Sequence, residues 1–365
     1  MGAEDPYIGV QVADGSYRLV AKIGEGGMGA VYRGVQEGDD AAVAVKILHI
    51  KYALEREFVE RFRREVKVLR SLRHPNTVRI IDDGQMEDGS LYIVMELLEG
   101  RGLDQALKHD GPWPLDRAIS MVLRVTYALE EAHRLGIVHR DMKPENVFLV
   151  QRPGGLEIPK LLDFGLAKMD RAEESGGMSL TQEGDILGTP AFMSPEQSFG
   201  EPLDGRADIY SLAVILYELL TGHLPFEETS SNNQIARYLN EPIPIDQRVE
   251  GLYFPEELWP VLARALQKLP EDRYSTAVEF AEALKPLTSS QLSIAPPSVR
   301  MPYTPLPPRA ASAPSLPPPP SARAPLPTIT TQRPARESAR TRVLGVVLLA
   351  TVVLAAIAAF MFLGR

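Results

Sequence analysis

The most informative stretch of the sequence reads His139-Arg140-Asp141-Met142-Lys143-Pro144-Glu145-Asn146. It places a carboxylate (Asp141), an ammonium group (Lys143) and an amide (Asn146) on one short segment. Phosphoryl transfer needs these three groups close together. The carboxylate orients the attacking hydroxyl and accepts its proton, the cation neutralises phosphate charge, and the amide holds a metal ion. The segment therefore predicts phosphoryl transfer, with further partners elsewhere in the chain.

A glycine-rich segment, Gly24-Glu25-Gly26-Gly27-Met28-Gly29, lies between two apolar stretches. The same spacing marks dinucleotide-binding turns, but those are followed by a helix and, about 20 residues on, by an acidic residue. Here both flanks carry β-branched and aromatic residues, so they predict a β-hairpin. Because glycines lack side chains, the backbone amides of this segment could close over phosphates.

Lys46 ends a predicted strand, Val43-Ala44-Val45-Lys46, and lies 22 positions after Gly24. A buried ammonium group at this place needs a carboxylate partner. The helix predicted from about residue 54 to residue 72 offers Glu65, which borders the apolar stripe of that helix. The stripe residues recur at helical spacing, and they are Phe58, Phe62, Val66 and Leu69. We therefore predict an ion pair between Lys46 and Glu65.

Taken in order, these segments resemble the motifs of eukaryotic-type protein kinases, in the style of the bacterial Ser/Thr enzymes. Asp163-Phe164-Gly165, 22 positions after Asp141, and Ser194-Pro195-Glu196 extend the resemblance, which covers about residues 16–287. It implies an α+β, two-lobed protein kinase fold, with a small β-rich lobe that contains one major helix and a large α-helical lobe. Residues 1–15 would form an N-terminal extension.

The resemblance also assigns roles to individual residues. The catalytic residues that it implies are Asp141, Lys143, Lys46 and Glu65. Asn146 and Asp163 would hold Mg²⁺, with Mn²⁺ as the alternative cation, because hard oxygen ligands suit such ions. The residues that would bind ATP are Ile23, Gly24, Glu25, Gly26, Gly27, Met28, Gly29, Val31, Ala44, Lys46, Met95, Glu96, Leu98 and Phe148.

Within that pocket, Met95 would be the gatekeeper, and the main chain of Glu96 and Leu98 would face the adenine edge. Val31, Ala44 and Phe148 would enclose the ring. The structural residues implied by the resemblance are Glu196 and Arg273, as a buried ion pair, and Asp208, as a brace for the catalytic loop (residues 139–146).

Acceptor type and regulation follow from the same resemblance. Lys143 together with Thr189 is typical of Ser/Thr specificity. The Arg140 guanidinium is an available partner for phosphate dianions. We therefore expect that autophosphorylation of Thr181 or Ser179 orders the activation segment (residues 163–196) through Arg140, whereas the alternative is that these hydroxyls are merely solvated.

Composition limits the remaining function classes. The chain contains no cysteine, which excludes disulfides, thiolate metal sites and a cysteine nucleophile. From residue 288 onward it carries eight arginines and one acidic residue, a net charge of +7. Because the whole chain has a net charge of −9, the part before residue 288 carries −16. An acidic globular part argues against general nucleic-acid binding.

The C-terminal part changes in character. Residues 288–342 are rich in Pro, Ser, Ala and Arg, which predicts a disordered linker. Residues 343–363 are 21 uncharged residues, and as a helix they would span about 31 Å, close to the hydrocarbon thickness of a bilayer. We expect one transmembrane helix in the cell (inner) membrane, a short tail at 364–365, and a cytoplasmic catalytic domain on the arginine-rich side.

The leading prediction is a membrane-tethered Ser/Thr protein kinase that acts on protein substrates in bacterial signal transduction. A catalytically silent pseudokinase scaffold is the first alternative, although it would require the loss of Lys46, Asp141, Asn146 or Asp163, and all four are present. The second alternative is an adaptor that works through proline motifs in the linker. Related kinases also form homodimers through the small lobe, but no residue here singles out that face.

Overall fold

The computed structural model describes residues 5–164, 190–226, 240–249 and 254–288. The amino-terminal lobe is built on a six-stranded antiparallel sheet with the order β1-β2-β3-β4-β6-β5. Its strands are β1 (Gln11–Val12), β2 (Tyr17–Gly26), β3 (Gly29–Gln36), β4 (Ala42–Leu48), β5 (Ile80–Gln85) and β6 (Leu91–Glu96). The predicted hairpin is confirmed, because β2 and β3 pair with Gly26 opposite Gly29, which places the glycine-rich segment at the hairpin tip.

Two helices, α1 (Ile50–Ala53) and α2 (Arg56–Leu69), follow β4. The apolar stripe predicted for the second helix is confirmed, since Phe58, Phe62, Val66 and Leu69 are its buried residues. The helix is shorter than the predicted 54–72 at both ends, because the chain leaves helical geometry after Arg70 and turns toward β5.

The carboxy-terminal lobe is mainly helical. Its helices are α3 (Leu103–Asp110), α4 (Leu115–Arg134), α5 (Pro195–Ser198), α6 (Arg206–Thr221), α7 (Ile245–Arg248), α8 (Leu258–Ala265) and α9 (Ala277–Leu284). A three-stranded sheet of β7 (Gly100–Gly102), β8 (Val147–Arg152) and β9 (Leu156–Leu161) completes it. All of α6 except Arg206 and Glu218 is buried, as expected for a helix that is apolar on every side.

The predicted N-terminal extension packs onto the small lobe from residue 5 onward. β1 pairs with the start of β2, and Val12 is buried in the apolar cluster on that side of the sheet. The Tyr32 hydroxyl donates to both carboxylate oxygens of Asp5 at 3.1 Å, and the Tyr92 hydroxyl accepts from the Ala13 amide at 3.0 Å. Burial, reinforced by Asp5, raises the pKa of Tyr32.

The predicted linker beyond Thr288 and the predicted transmembrane residues 343–363 lie outside the described residues. Of the helices in the described ranges, none combines the length and the apolar character needed to cross a bilayer.

Candidate active site

The residues of segment 139–146 converge on one carboxylate. It connects α4 to β8, and its end is a single 3₁₀ turn, Pro144–Asn146. The Lys143 ammonium lies 3.0 Å from Asp141 Oδ2, and the Asn146 side-chain amide donates to Asp141 Oδ2 at 2.9 Å and to the Asp141 carbonyl at 2.7 Å. The predicted grouping of carboxylate, cation and amide is therefore confirmed as a compact cluster.

Asp208, at the start of α6, braces this loop from below. Its carboxylate accepts the backbone N–H of His139 at 2.8 Å and that of Arg140 at 3.0 Å. The His133 ring lies 2.8 Å from the same carboxylate. Because Asp208 is only 1% exposed, these bonds are shielded from water, and the predicted bracing role is confirmed.

His139 links the loop to Leu162, the residue directly after β9, a role that sequence reasoning did not assign. The ring is fully buried. Its Nε2 lies 2.8 Å from the Leu162 carbonyl, while its Nδ1 lies 3.3 Å from the Asp141 N–H. One ring nitrogen therefore donates and the other accepts, which describes a neutral imidazole. Burial lowers the pKa of His139 in agreement with that state.

The predicted ion pair between Lys46 and Glu65 is absent from the described structure. The Lys46 ammonium instead lies 2.7 Å from Asp163 Oδ2. Glu65 is half-buried on α2, where burial raises its pKa and the nearby positive charge of Arg140 opposes that rise most strongly. Two carboxylates can compete for one ammonium group, and here the placement of α2 leaves Asp163 as the nearer one.

The glycine-rich segment divides into two parts with different surroundings. A Cβ atom on Gly24 would have no neighbour nearer than 3.9 Å, and one on Gly26 would meet nothing within 4 Å. On Gly29 it would overlap the carbonyl oxygen of Ile47 in β4. Gly24 and Gly26 therefore leave open space for a ligand, whereas Gly29 lets β3 and β4 approach closely.

Other residues of the predicted ATP pocket occupy strands around this space. Ala44 lies opposite Met95 in the β4–β6 pair, and Val31 lies opposite Lys46 in the β3–β4 pair. The Met28 side chain is buried in the main apolar core, so any contact with a nucleotide at this position falls to its backbone.

The remaining members of the predicted pocket are more exposed or lie in the larger lobe. Ile23 is 51% exposed, and Glu25 forms an exposed ion pair with Lys22. Phe148 lies on β8, opposite Gly102. Leu98 is half-buried in the link between the lobes. The contacts of these residues with adenine stay a prediction.

A buried lysine supports the segment that joins the two lobes, and sequence reasoning missed it. Lys160, only 8% exposed on β9, lies 2.5 Å from Glu96 Oε1 and donates to the Thr77 carbonyl at 3.3 Å. The same Glu96 oxygen accepts the Arg79 N–H at 2.8 Å. The signal was a lysine directly before the apolar residues Leu161 and Leu162 that lead to Asp163.

The residues predicted to hold Mg²⁺ fit the usual ligand set of that ion. Asn146 and Asp163 supply an amide oxygen and a carboxylate. In the part of the chain that the structure describes, no three His, Cys, Asp or Glu side chains converge into a metal cage. Mg²⁺ is commonly held by one or two carboxylates together with substrate phosphates and water. Because the Asn146 nitrogen donates to Asp141, its oxygen is the atom left to face a cation.

The end of the activation segment is anchored by the predicted pair of Glu196 and Arg273, which is confirmed. The two guanidinium nitrogens of Arg273 donate to the two carboxylate oxygens of Glu196 at 2.7 and 2.8 Å. The predicted regulatory residues Ser179, Thr181 and Thr189 lie outside the described residues, which omit 165–189. Gly27 lies at the tip of the β2–β3 hairpin, between Gly26 and Gly29.

Comparison with known proteins agrees with this geometry. The family model "Protein kinase domain" matches residues 17–285. The serine/threonine-protein kinase pkn3 of Myxococcus xanthus is 41% identical over 285 residues, which cover 77% of this chain and 51% of that protein. The serine/threonine-protein kinase PknH of Mycobacterium tuberculosis is 36% identical, with 77% and 43% covered.

Among solved structures, the kinase domain of Mycobacterium tuberculosis PknI matches with a TM-score of 0.59 at 30% identity, over 77% of this chain and 99% of that domain. The chain spans about half the length of the curated relatives that it matches. The family match covers most of the chain and includes both lobes and the cluster around Asp141. The chain belongs to the protein kinase family.

Proposed function

We propose that this chain is a Ser/Thr protein kinase that transfers the γ-phosphoryl group of Mg·ATP to hydroxyls of protein substrates. The observation that carries the proposal is the cluster around Asp141, with Lys143 at 3.0 Å and the Asn146 amide at 2.9 Å from the same carboxylate oxygen. The names of the relatives, all Ser/Thr protein kinases, support the acceptor type, as does Lys143 two residues after Asp141.

Each residue of the cluster has a separate task in such a transfer. Asp141 orients the acceptor hydroxyl and takes its proton, while Lys143 offsets negative charge on the phosphoryl group in flight. Lys46, on β4, would face the phosphates of bound ATP. Asp163 and Asn146 would hold Mg²⁺, which would supply electrostatic stabilisation of the phosphate oxygens. His139 and Asp208 keep the Asp141 segment in place.

The proposal is tested by phosphate transfer from labelled ATP to a generic basic protein, with the full chain and Mg²⁺ present. We expect activity in the wild type and a loss of at least about 100-fold in Asp141→Asn. Glu60→Gln, an exposed position on α2, is the matched control and should behave as wild type. A wild type that binds ATP but transfers no phosphate would favour the scaffold alternative.

We further propose that the protein autophosphorylates its activation segment. The supporting observation is that Arg140, Arg61 and Arg64 all lie near enough to Glu65 to lower its pKa, against the larger effect of burial. A phosphate dianion suits such a site. Mass spectrometry of wild type and Asp141→Asn tests this: phosphate on Thr181 or Ser179 should occur in the wild type alone. Equal phosphorylation in both would point to another kinase.

We also propose that residues 343–363 anchor the chain in the cell membrane, with the catalytic domain on the cytoplasmic side. The support is the uncharged stretch of 21 residues preceded by Arg336, Arg340 and Arg342. Membrane fractions washed with alkaline carbonate should retain the full chain and lose a chain that ends at residue 342. Retention of both proteins to the same extent would contradict the anchor.

A further inference from the structure

Gln197, on the short helix α5, connects the end of the activation segment to the catalytic loop. Its side-chain nitrogen donates to the Arg140 carbonyl at 2.6 Å. Its side-chain oxygen accepts from the backbone N–H of Ser194 at 3.1 Å and from the Ser194 hydroxyl at 3.3 Å. The two ends of one amide therefore serve two different segments of the chain.

The carbonyl that Gln197 holds belongs to the peptide group immediately before Asp141. Arg140 has a φ of +64°, a conformation that a residue with a side chain adopts only when its surroundings impose it. On one side of this residue its N–H is held by Asp208 at 3.0 Å. On the other side, the peptide that joins it to Asp141 has its carbonyl held by Gln197 and its N–H held by His139 at 3.3 Å.

Asp208 and His139 belong to the core of the large lobe, but Gln197 follows directly on the activation segment. It lines a small cavity beside the catalytic carboxylate, together with Asp141, Lys143, Phe192, Met193 and Ser211. The position of the Arg140 carbonyl thus depends on the position of α5 relative to segment 139–146.

We propose that Gln197 is a positioning residue for phosphoryl transfer: by holding the Arg140 carbonyl, it sets the direction of the Asp141 carboxylate and makes that direction depend on the end of the activation segment. The proposal rests on the proposed kinase function. Displacement of a reacting group by about 1 Å can cost about 100-fold in rate. The loss of one hydrogen bond at this peptide is therefore expected to lower the rate of phosphoryl transfer.

The alternative is that Gln197 only stabilises the first turn of α5, as a side chain that reaches back to the helix start commonly does. The two roles use different atoms and can be separated. Gln197→Glu keeps an oxygen for Ser194 but replaces the donor to Arg140 with a second acceptor. Ser194→Ala removes the hydroxyl contact with Gln197 Oε1 and leaves the contact with Arg140 intact.

In the full chain, we expect Gln197→Glu to lower kcat about 10- to 100-fold while the KM for ATP changes less than about 3-fold. Ser194→Ala should lower the Tm but keep kcat within about 3-fold of wild type. A Gln197→Glu protein with wild-type kcat would overturn the proposal. So would a loss of kcat in both variants that simply follows how far each variant's Tm is lowered.

Hydrogen exchange separates failure of this proposal from failure of the proposed function. In Gln197→Glu, the amides of residues 139–146 should exchange faster than in wild type, whereas those of α9 should be unchanged. This comparison holds even if the wild type transfers no phosphate, a result that would contradict the kinase function alone. Unchanged exchange in the loop would contradict the positioning role.

Discussion

The Lys46 ammonium pairs with Asp163 at 2.7 Å and not with Glu65. Glu65 consequently sits half-buried without the partner expected for it, and burial raises its pKa despite the nearby arginines. A desolvated carboxylate costs stability, whereas the same carboxylate facing Lys46 would support phosphate binding. The residue is thus expected to oppose folding stability and favour catalysis.

Replacement of Glu65 by glutamine should separate these two effects. We expect the Tm of Glu65→Gln at pH 8 to equal or exceed that of wild type, because a charge is removed from a partly buried position. Phosphate transfer should fall at least about 10-fold. Glu60→Gln, on the exposed side of the same helix, should change neither quantity. A Glu65→Gln protein with a clearly reduced Tm would show that Glu65 already has a stabilising partner.

Removal of either partner alone from the buried pair of Glu196 and Arg273 should strongly destabilise the fold. Arg273 is 1% exposed and also donates to the carbonyls of Gln267, Lys268 and Arg206. Glu196→Gln should therefore lower the free energy of unfolding by about 3 kcal/mol, because it leaves a buried cation unpaired. Urea titration measures this loss. Arg56→Ala, which breaks an exposed pair with Glu60, should cost less than about 0.5 kcal/mol.

The glycines of the hairpin tip should differ in what they control. Gly29→Ala forces a methyl group against the Ile47 carbonyl, so we expect a loss of about 1–3 kcal/mol in the free energy of unfolding. Gly26→Ala meets no atom within 4 Å and should leave the Tm nearly unchanged while raising the KM for ATP. Thermal melts and steady-state kinetics on both variants provide the measurement. Equal melting temperatures would contradict the packing role of Gly29.

Glu218 on α6 should make stability depend on pH. Burial, with a smaller contribution from Glu145, raises its pKa to about 7, and its Oε2 is buried without a hydrogen-bond partner in the described structure. Since the folded state holds this proton more tightly than the unfolded chain, stability falls as pH rises from about 4.5 through 7.

Glu218→Gln removes that titration. After allowance for partial exposure, the variant should be more stable than wild type by about 1–2 kcal/mol at pH 8 and about equal to it near pH 4.5. Urea titrations at the two pH values test the difference. A variant that is less stable than wild type at pH 8 would mean that the ionised carboxylate is favourably solvated.

Local sequence was sufficient to predict the catalytic cluster, because Asp141, Lys143 and Asn146 are brought together by one loop and one 3₁₀ turn. The stripe on α2 was predictable for the same reason, since periodicity fixes which face is buried. The partner of Lys46 was not predictable in this way. It depends on the distance between α2 and β4, and no spacing in the sequence records that distance.

The contacts of Lys160 and Gln197 illustrate the same limit. Lys160 meets Glu96 across 64 positions of sequence, and Gln197 meets Arg140 across 57 positions. The sequence on either side of each residue gives no indication of its long-range partner. Only the packing of the lobes and of α5 turns them into supports for the hinge and for the catalytic loop.

The short strand β1 limits how far the kinase domain can be truncated at its N-terminal end. The family match begins at residue 17, but β1 at Gln11–Val12 pairs with the first two residues of β2, Tyr17 and Arg18. A fragment that starts at residue 16 would expose unpaired N–H and C=O groups at the start of β2, which are a template for strands of other molecules. It would also strip the Tyr32 and Tyr92 hydroxyls of their partners. Such a fragment should self-associate, whereas one that starts at residue 5 should remain dispersed.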